Sequence, residues 1–244
     1  MNASYFVTAR AGKMYEMQMQ TLSHNMANVN TSGYREDRVS FSSVLRETAG
    51  SNGELTEVPY NVEQQVNLRE GLVQPTGGEL DVALRGNAYF RLQLPEGGEA
   101  YSRAGHFHID GQGTLLNMNE LPVLDDNGAP ITIKTGNVVI DEQGKINVDG
   151  KPLTSLGIVA IKDAGQVERI AGSMVKTDAA NTTTGEEKFS VLQGSLESSN
   201  VNAVEVMTSL ISLTRSYQQM LKTMEQYSEQ IKSLSDKVGT VGGA

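Results

Sequence analysis

From Ala203 onward the apolar positions recur every third and then every fourth residue: Ala203, Val206, Leu210, Leu213, Tyr217, Met220, Met224, Tyr227, Ile231, Leu234 and Val238. A 3-4 spacing held for about five heptads is the pattern of a helical seam that packs on other helices. At 1.5 Å per residue it predicts a helix of roughly 50 Å. Asn202 followed by Glu205 reads as a capping box at its start, and Gly239, Gly242 and Gly243 mark its end. Ser, Thr, Gln, Glu and Lys fill the positions between, where Glu229 with Lys232 and Lys232 with Asp236 can pair across one turn. A helix that exposes such a stripe is marginal alone, because burial of its side chains offsets the ordering entropy only when a partner covers them. The seam therefore predicts an assembly helix rather than an isolated one.

The other end of the chain has a weaker version of the same pattern. Residues 3–30 predict a helix capped by Asn2 or Ser4, with Val7, Ala11, Met14, Leu22, Met26 and Val29 on one stripe, broken at Gln18. Three Asn within six residues and Gly33 then signal a helix end and a turn. Residues 36–79 read as an irregular connector, with Gly50-Ser51-Asn52-Gly53, Gly77-Gly78, Pro59 and Pro75 as breakers. From Leu80 the period changes to two: Leu80, Val82 and Leu84 alternate, then Phe90, Leu92 and Leu94, Phe107 and Ile109, Ile131 and Ile133, Val138 and Ile140, Ile146 and Val148, ending at Ile158–Ile161. Asp110-Gly111, Asp126-Asn127-Gly128, Glu142-Gln143-Gly144 and Asp149-Gly150 supply turns between them. Short strands at this spacing predict one antiparallel β domain over residues 80–170, and residues 171–199 read as polar loop with a few strand-like pieces. The fold class expected is α+β: long N- and C-terminal helices forming a coiled-coil domain, with a central antiparallel all-β domain, barrel- or sandwich-like. The domain boundaries expected are 1–34 plus 200–244 for the helical assembly domain, 35–79 for the connector and 80–199 for the β-rich outer domain.

Composition narrows the function. A net charge of −9, with an isoelectric point near 4.9 and no Lys/Arg run, argues against nucleic acid. The chain of 244 residues has no cysteine, so it offers no disulfide, no thiolate nucleophile and no Cys-ligated metal. No apolar run approaches the ~18 residues of a membrane span, and residues 1–20 lack the features of a cleaved secretory signal. His106-x-His108-x-Asp110 places three possible ligands on one strand face, but with no fourth nearby it reads as a solvated face. Asp125-Asp126-Asn127-Gly128 has part of a calcium loop without its twelfth-position Glu and reads as a turn. His24 reads as a packed helix-face residue. No phosphate loop, nucleophile elbow or zincin motif occurs, and no metal or other cofactor is expected.

The wording of four segments is more specific than their pattern. Leu22, Asn25, Ala27, Asn28, Thr31, Gly33, Tyr34 and Arg35 fill every place of a signature that resembles the N-terminal motif of the flagellar axial proteins, the rod and hook family. Leu80-Asp81-Val82-Ala83-Leu84-Arg85-Gly86-Asn87-Ala88-Tyr89-Phe90 is similar to the segment that opens the β domain of that family, with Ala88-Tyr89 where Gly-Phe is usual. Tyr101-Ser102-Arg103-Ala104-Gly105-His106-Phe107 resembles the motif that follows, with Ser102 in place of the usual Thr. Gly194-Ser195-Leu196-Glu197-Ser198-Ser199-Asn200-Val201 resembles the approach to the terminal helix. Hook members usually carry larger inserted β domains, and the connector lacks the Pro-Gly-rich stretch of the distal rod member, so the similarity points to the proximal rod.

The resemblance implies a structural, non-enzymatic subunit of the flagellar rod, assembling helically through its terminal helices and transmitting torque. It implies as partners other rod proteins, copies of the chain itself and the flagellar type III export apparatus, with no nucleic acid and no membrane insertion. The place implied is the periplasmic rod of the basal body, reached without a cleaved Sec signal. The assembly interface is assigned to Leu22, Asn25, Ala27, Asn28, Thr31, Gly33, Tyr34, Val206, Leu210, Leu213, Tyr217, Met220, Met224, Tyr227, Ile231 and Leu234. Alternatives are a distal rod or other axial subunit, a secreted coiled-coil fibre or adhesin subunit, and a peptidoglycan-acting enzyme using paired carboxylates.

Overall fold

A computed structural model describes residues 2–43, 60–134, 136–184 and 189–241. The chain divides into two compact units, residues 1–26 with 203–244, and residues 27–202.

The first unit contains two helices, α1 (Asn2–Ala27) and α2 (Ala203–Val241). α2 begins directly after Asn202, with Glu205 in its first turn, and continues through Gly239. α1 ends three residues before the expected boundary. Asn28, Asn30 and Ser32 turn the chain there, and Thr31 N–H bonds back to the Asn28 carbonyl at 3.1 Å. The helices touch through Tyr15 and Tyr217, edge to face at 6.3 Å, while a Cβ at Gly12 would lie 3.3 Å from the Met220 methyl.

Two long terminal helices forming a coiled-coil domain are not what the chain builds, and the expected fold class is corrected here. α1 has 26 residues against 39 for α2, so much of the seam has no facing helix in its own chain. Among the described seam residues only Val206 is buried; Leu210, Leu213, Tyr217, Met220 and Met224 are half-buried, and Tyr227 is 60% exposed. The side chains of Ile231, Leu234 and Val238 lie outside the described residues. On α1, the buried positions among residues 11–27 are the polar Thr21 and Asn25. Knobs-into-holes packing needs a facing surface along the whole seam, and heptad spacing specifies a stripe without supplying that surface.

The second unit carries the core. Every strand pairing in it is antiparallel. Six strands form the largest sheet, in the order Glu168–Ala171, Met174–Lys176, Glu99–Ser102, Tyr89–Gln93, Ile158–Ile161, Thr182–Thr183. It is buried on both faces. Phe90, Leu92 and Ile158 enter one cluster with Val82, Leu84, Phe107 and Ile146. Tyr89, Tyr101, Val159 and Ile161 enter another with Val66, Val167 and Val175. That is why Ile158–Ile161 is buried at all four positions rather than alternating. The remaining strands form a three-stranded sheet and four two-stranded pairs, so the unit is neither one barrel nor one sandwich. Between them, Leu115, Val123 and Ile131 close a ring of three backbone hydrogen bonds, each 2.9 Å.

Two stretches read mainly as loop contain strands. In the connector, Asp37–Ser43 pairs with Tyr60–Val66 across the undescribed residues 44–59. In the polar tail of the β region, Ser190–Gln193 pairs with Val82–Arg85, and Ser195–Glu197 with Val73–Pro75. Their partners lie far away in sequence, so no local period announces them.

Candidate functional site

Residues of all four motifs converge inside the second unit. Gly33 adopts φ +67°, a conformation natural to glycine, and a Cβ there would overlap the Ala104 backbone nitrogen. Its N–H donates to the Glu197 carbonyl at 2.8 Å. The next residues turn inward: Tyr34 and Arg35 are buried beside Arg103 and Glu197. The Glu197 carboxylate, fully shielded from solvent, lies 2.6 Å from Arg35 Nη1 and 3.4 Å from Arg103 Nη1. It also accepts the Gly71 N–H at 2.7 Å. Arg103 donates to the Leu84 carbonyl at 2.9 Å and to the Gly86 carbonyl, and lies over the Tyr89 ring. Burial pushes the Arg103 guanidinium below its ordinary pKa, while Glu197 pulls it up. One carboxylate thus serves two buried guanidiniums, with the half-exposed Glu70 at 3.9 Å from Arg103 as a weaker second acid.

Two further residues complete this clasp. Asn200 accepts the Glu36 N–H at 2.7 Å and donates to the Asn67 and Arg69 carbonyls at 3.0 and 2.8 Å. Arg169 stacks 4.4 Å from the centre of the Tyr34 ring, bonds Asp37 at 2.8 Å and donates to the Arg35 carbonyl. Burial raises the Tyr34 hydroxyl to about 12, with Arg169 opposing and Asp37 reinforcing the shift. Neither Arg169 nor its strand belongs to a recognisable motif; only the tertiary arrangement shows it as part of the clasp.

The assigned interface residues fall into two groups. Leu22, Asn25, Val206, Leu210, Leu213, Tyr217, Met220, Met224 and Tyr227 lie in the helical unit, where Leu22 is half-buried and Asn25 has no exposed surface. The helical unit brings Tyr217 to Tyr15, and Tyr217 is also 3.5 Å from the Glu16 carboxylate. Ala27, Asn28, Thr31, Gly33 and Tyr34 belong to the β unit; Ala27 is exposed, and the Thr31 hydroxyl donates to the Asn28 side-chain carbonyl at 3.1 Å. Outside the seam, α2 also exposes Val204, Met207, Ile211 and Leu221.

The acidic loops have no chemistry left to offer. Asp110, Asp125 and Asp141 each turn one carboxylate oxygen onto backbone N–H groups two and four residues ahead, at 2.7–3.0 Å. Backbone donors hold Asp110 below the usual carboxylate range. Asp125 is also lowered, the donors of Ala129 and Asn127 outweighing the opposing desolvation. These are Asx turns. His106 Nδ1 meets Asp81 at 2.5 Å, while His108 is 3.5 Å from Glu120; no group of three potential metal ligands forms among the described residues. A cleft of about 410 Å³ is lined by Arg91, Glu99, Tyr101, Val159 and Thr182 among others. Its Arg91, Glu99 and Tyr101 bond one another, which raises Arg91 and lowers Glu99. Among the described residues no helix is long and apolar enough to cross a membrane.

The segments that carry Arg103 and Glu197, and most of the helix that follows them, lie in stretches by which the chain matches known families. Residues 83–148 match the family described as "Flagellar hook protein FlgE/F/G D1 domain", and residues 192–236 match "Flagellar basal body rod FlgEFG protein C-terminal". The chain is 32% identical over 250 residues to the flagellar basal-body rod protein FlgF of Rhizobium meliloti, covering 100% of both chains. It is 27% identical to FlgF of Caulobacter vibrioides, over 92% of this chain and 93% of the other. It is 28% identical to the basal-body rod protein FlgG of Bacillus subtilis, over 91% and 94%. The chain belongs to the flagellar basal-body rod protein family and is a structural subunit of the rod, most similar to FlgF. Its place is the flagellar basal body, its partners are other basal-body proteins, and it is not an enzyme.

Proposed function

We propose that this subunit builds the proximal part of the rod, stacking helically with copies of itself and with other rod proteins, and that the resulting shaft transmits torque. The observation that carries the reading is the apolar surface left open on α2, where the seam residue Tyr227 and, beside the seam, Met207, Ile211 and Leu221 stay exposed along a helix of 39 residues. Contacts of that kind, made between two different patches, extend into a helical array when they do not close into a ring. In this reading residues 1–34 and 200–244 form the assembly region, 35–79 the connector and 80–199 the outer β body. Leu22, Asn25, Ala27, Asn28 and Thr31 join the α2 seam, including Ile231 and Leu234, in meeting neighbours. Gly33 and Tyr34 contribute by fixing the turn that precedes the clasp. The chain reaches the periplasm through the flagellar type III export apparatus. A chain that completes its interfaces only on assembly suits that passage, and the lack of cysteine suits an oxidising compartment.

The test is Met224→Lys, which places a charge in the seam. The expected result is a β unit folded as before and a subunit that no longer incorporates into rods. Normal rods and normal motility in that strain would sink the seam as the assembly surface. Since relatives named FlgG match at similar identity, a distal position is the second reading. Restoring motility to a strain lacking FlgF, and not to one lacking FlgG, separates the two.

A further inference from the structure

We propose that residues 190–200 are a strap whose docking is the closing step of the β unit, because they bring the carboxylate of Glu197 to two arginines, Arg35 and Arg103, that lie buried in the closed unit and have no other adequate counter-charge among its described residues.

The charge geometry is one-sided. Arg35 and Arg103 are 2% and 1% exposed, and Glu197 is the acid that reaches both. Among the described residues, Arg35 pairs with no other carboxylate, and Arg103 has only the half-exposed Glu70 besides. Its Nε and that of Arg35 find no hydrogen-bond partner among those residues. An uncompensated buried guanidinium is unfavourable enough to keep a core open to water. Without the Glu197 carboxylate the closed unit would hold Arg35 with no acid among the described residues and Arg103 with only Glu70 at 3.9 Å.

The same segment completes the hydrogen bonding elsewhere. Ser190–Gln193 pairs with Val82–Arg85, whose Val82 and Leu84 belong to the larger core cluster. Ser195–Glu197 pairs with Val73–Pro75. Gln193 caps the edge of strand Val138–Ile140, its Oε1 accepting the Ile140 N–H at 3.0 Å and its Nε2 donating to the Val138 carbonyl at 2.8 Å. At Gly71 a Cβ would overlap the Ser198 carbonyl, so the strap lies directly against bare backbone. Asn200 then locks its end to Glu36, Asn67 and Arg69. Segments on both sides of the core therefore stay unfinished until one late stretch of chain arrives. A partner that held residues 190–200 would hold the whole unit open, whatever route carries the chain to the rod.

Pulse-labelled hydrogen exchange during refolding of the full chain tests the order. Amides of Tyr89–Gln93 and Glu99–Ser102 are expected to gain full protection no earlier than those of Ser190–Gln193. A central sheet fully protected while the strap still exchanges overturns the proposal. Two full-chain variants test the cause. Glu197→Ala is expected to lower protection across the central sheet by about a hundredfold or more, since breaking one side of a buried ion pair leaves a charge behind. Adding Arg35→Met and Arg103→Met to Glu197→Met removes the stranded charges and is expected to restore most of that protection. Unchanged protection in the single variant, or no recovery in the triple one, overturns the charge-driven closure.

Discussion

The helical unit and the β unit carry equally regular hydrophobic patterns but treat them oppositely. In the β unit, period-two residues such as Phe90, Leu92, Tyr89 and Ile161 are covered by the chain's own strands, down to 0–1% exposure. In the helical unit the described seam residues after Val206 stay half-open or exposed, and Val204 on an adjacent face is 73% exposed. The contrast extends to charge: the β unit encloses Arg35, Arg103 and Glu197, whereas the α2 residues Arg215, Lys222 and Glu225 are exposed. One unit satisfies its own surface and the other presents surface for something else. A pattern defines a face; it does not define who covers it.

The comparison breaks most visibly under hydrogen exchange of the isolated chain. Amides of Tyr89–Gln93 are expected to exchange slower than those of α2 residues 211–230 by on the order of a thousandfold, because no residue of that stretch is fully buried. Strong protection of α2 in a solution of confirmed monomers would mean that the helical unit is self-sufficient after all. Next in size is Gly33→Ala. With φ at +67° and the Ala104 backbone in the way, it is expected to destabilise the β unit by about 2–3 kcal/mol, read from its denaturant midpoint; an unchanged midpoint would show that the turn relaxes at no cost.

Tyr34 sharpens the comparison through pH. Its hydroxyl ionises at about 12 in the folded unit and near ~10 in an unfolded chain. The folded state therefore favours the protonated form. That preference is fully present below about pH 10 and is lost as pH rises through the folded value. Tyr34→Phe is expected to make the fall in β-unit stability over this window less steep, measured by far-ultraviolet dichroism against pH; an identical profile would assign the fall to other groups. The smallest effect concerns Met224→Lys, whose influence on the denaturant midpoint of the β unit is expected to stay within about 0.5 kcal/mol although incorporation is lost. A larger shift would show that the seam supports the β unit and is not reserved for neighbours.

Much of the candidate site was legible one segment at a time. Gly33-Tyr34-Arg35, Arg103 and Glu197-Ser198-Ser199-Asn200 each stood in a segment that resembled the rod family. Nothing in the order of residues said that these segments touch. Their meeting depends on strand pairings between Ser195–Glu197 and Val73–Pro75 and on the docking of Arg169, all set by contacts remote in sequence. The Gly33 and Tyr34 positions read as assembly interface, and a motif says which residues matter without saying which way they point. The coiled-coil expectation overreached for a related reason: heptad spacing on α2 was real, but a facing helix of matching length is a property of the packing.

By itself, then, the sequence determined the helical stripe on α2, the change to period two near Leu80, the turns at the Asp-Gly steps and the membership of the rod family, because each follows from local spacing or from wording. The tertiary structure alone decided which distant partners the strands of the connector and of the polar tail take, that two arginines share one buried glutamate, and that the described part of the seam remains largely uncovered. Those outcomes depend on which distant segments meet, where pairing and desolvation are settled together.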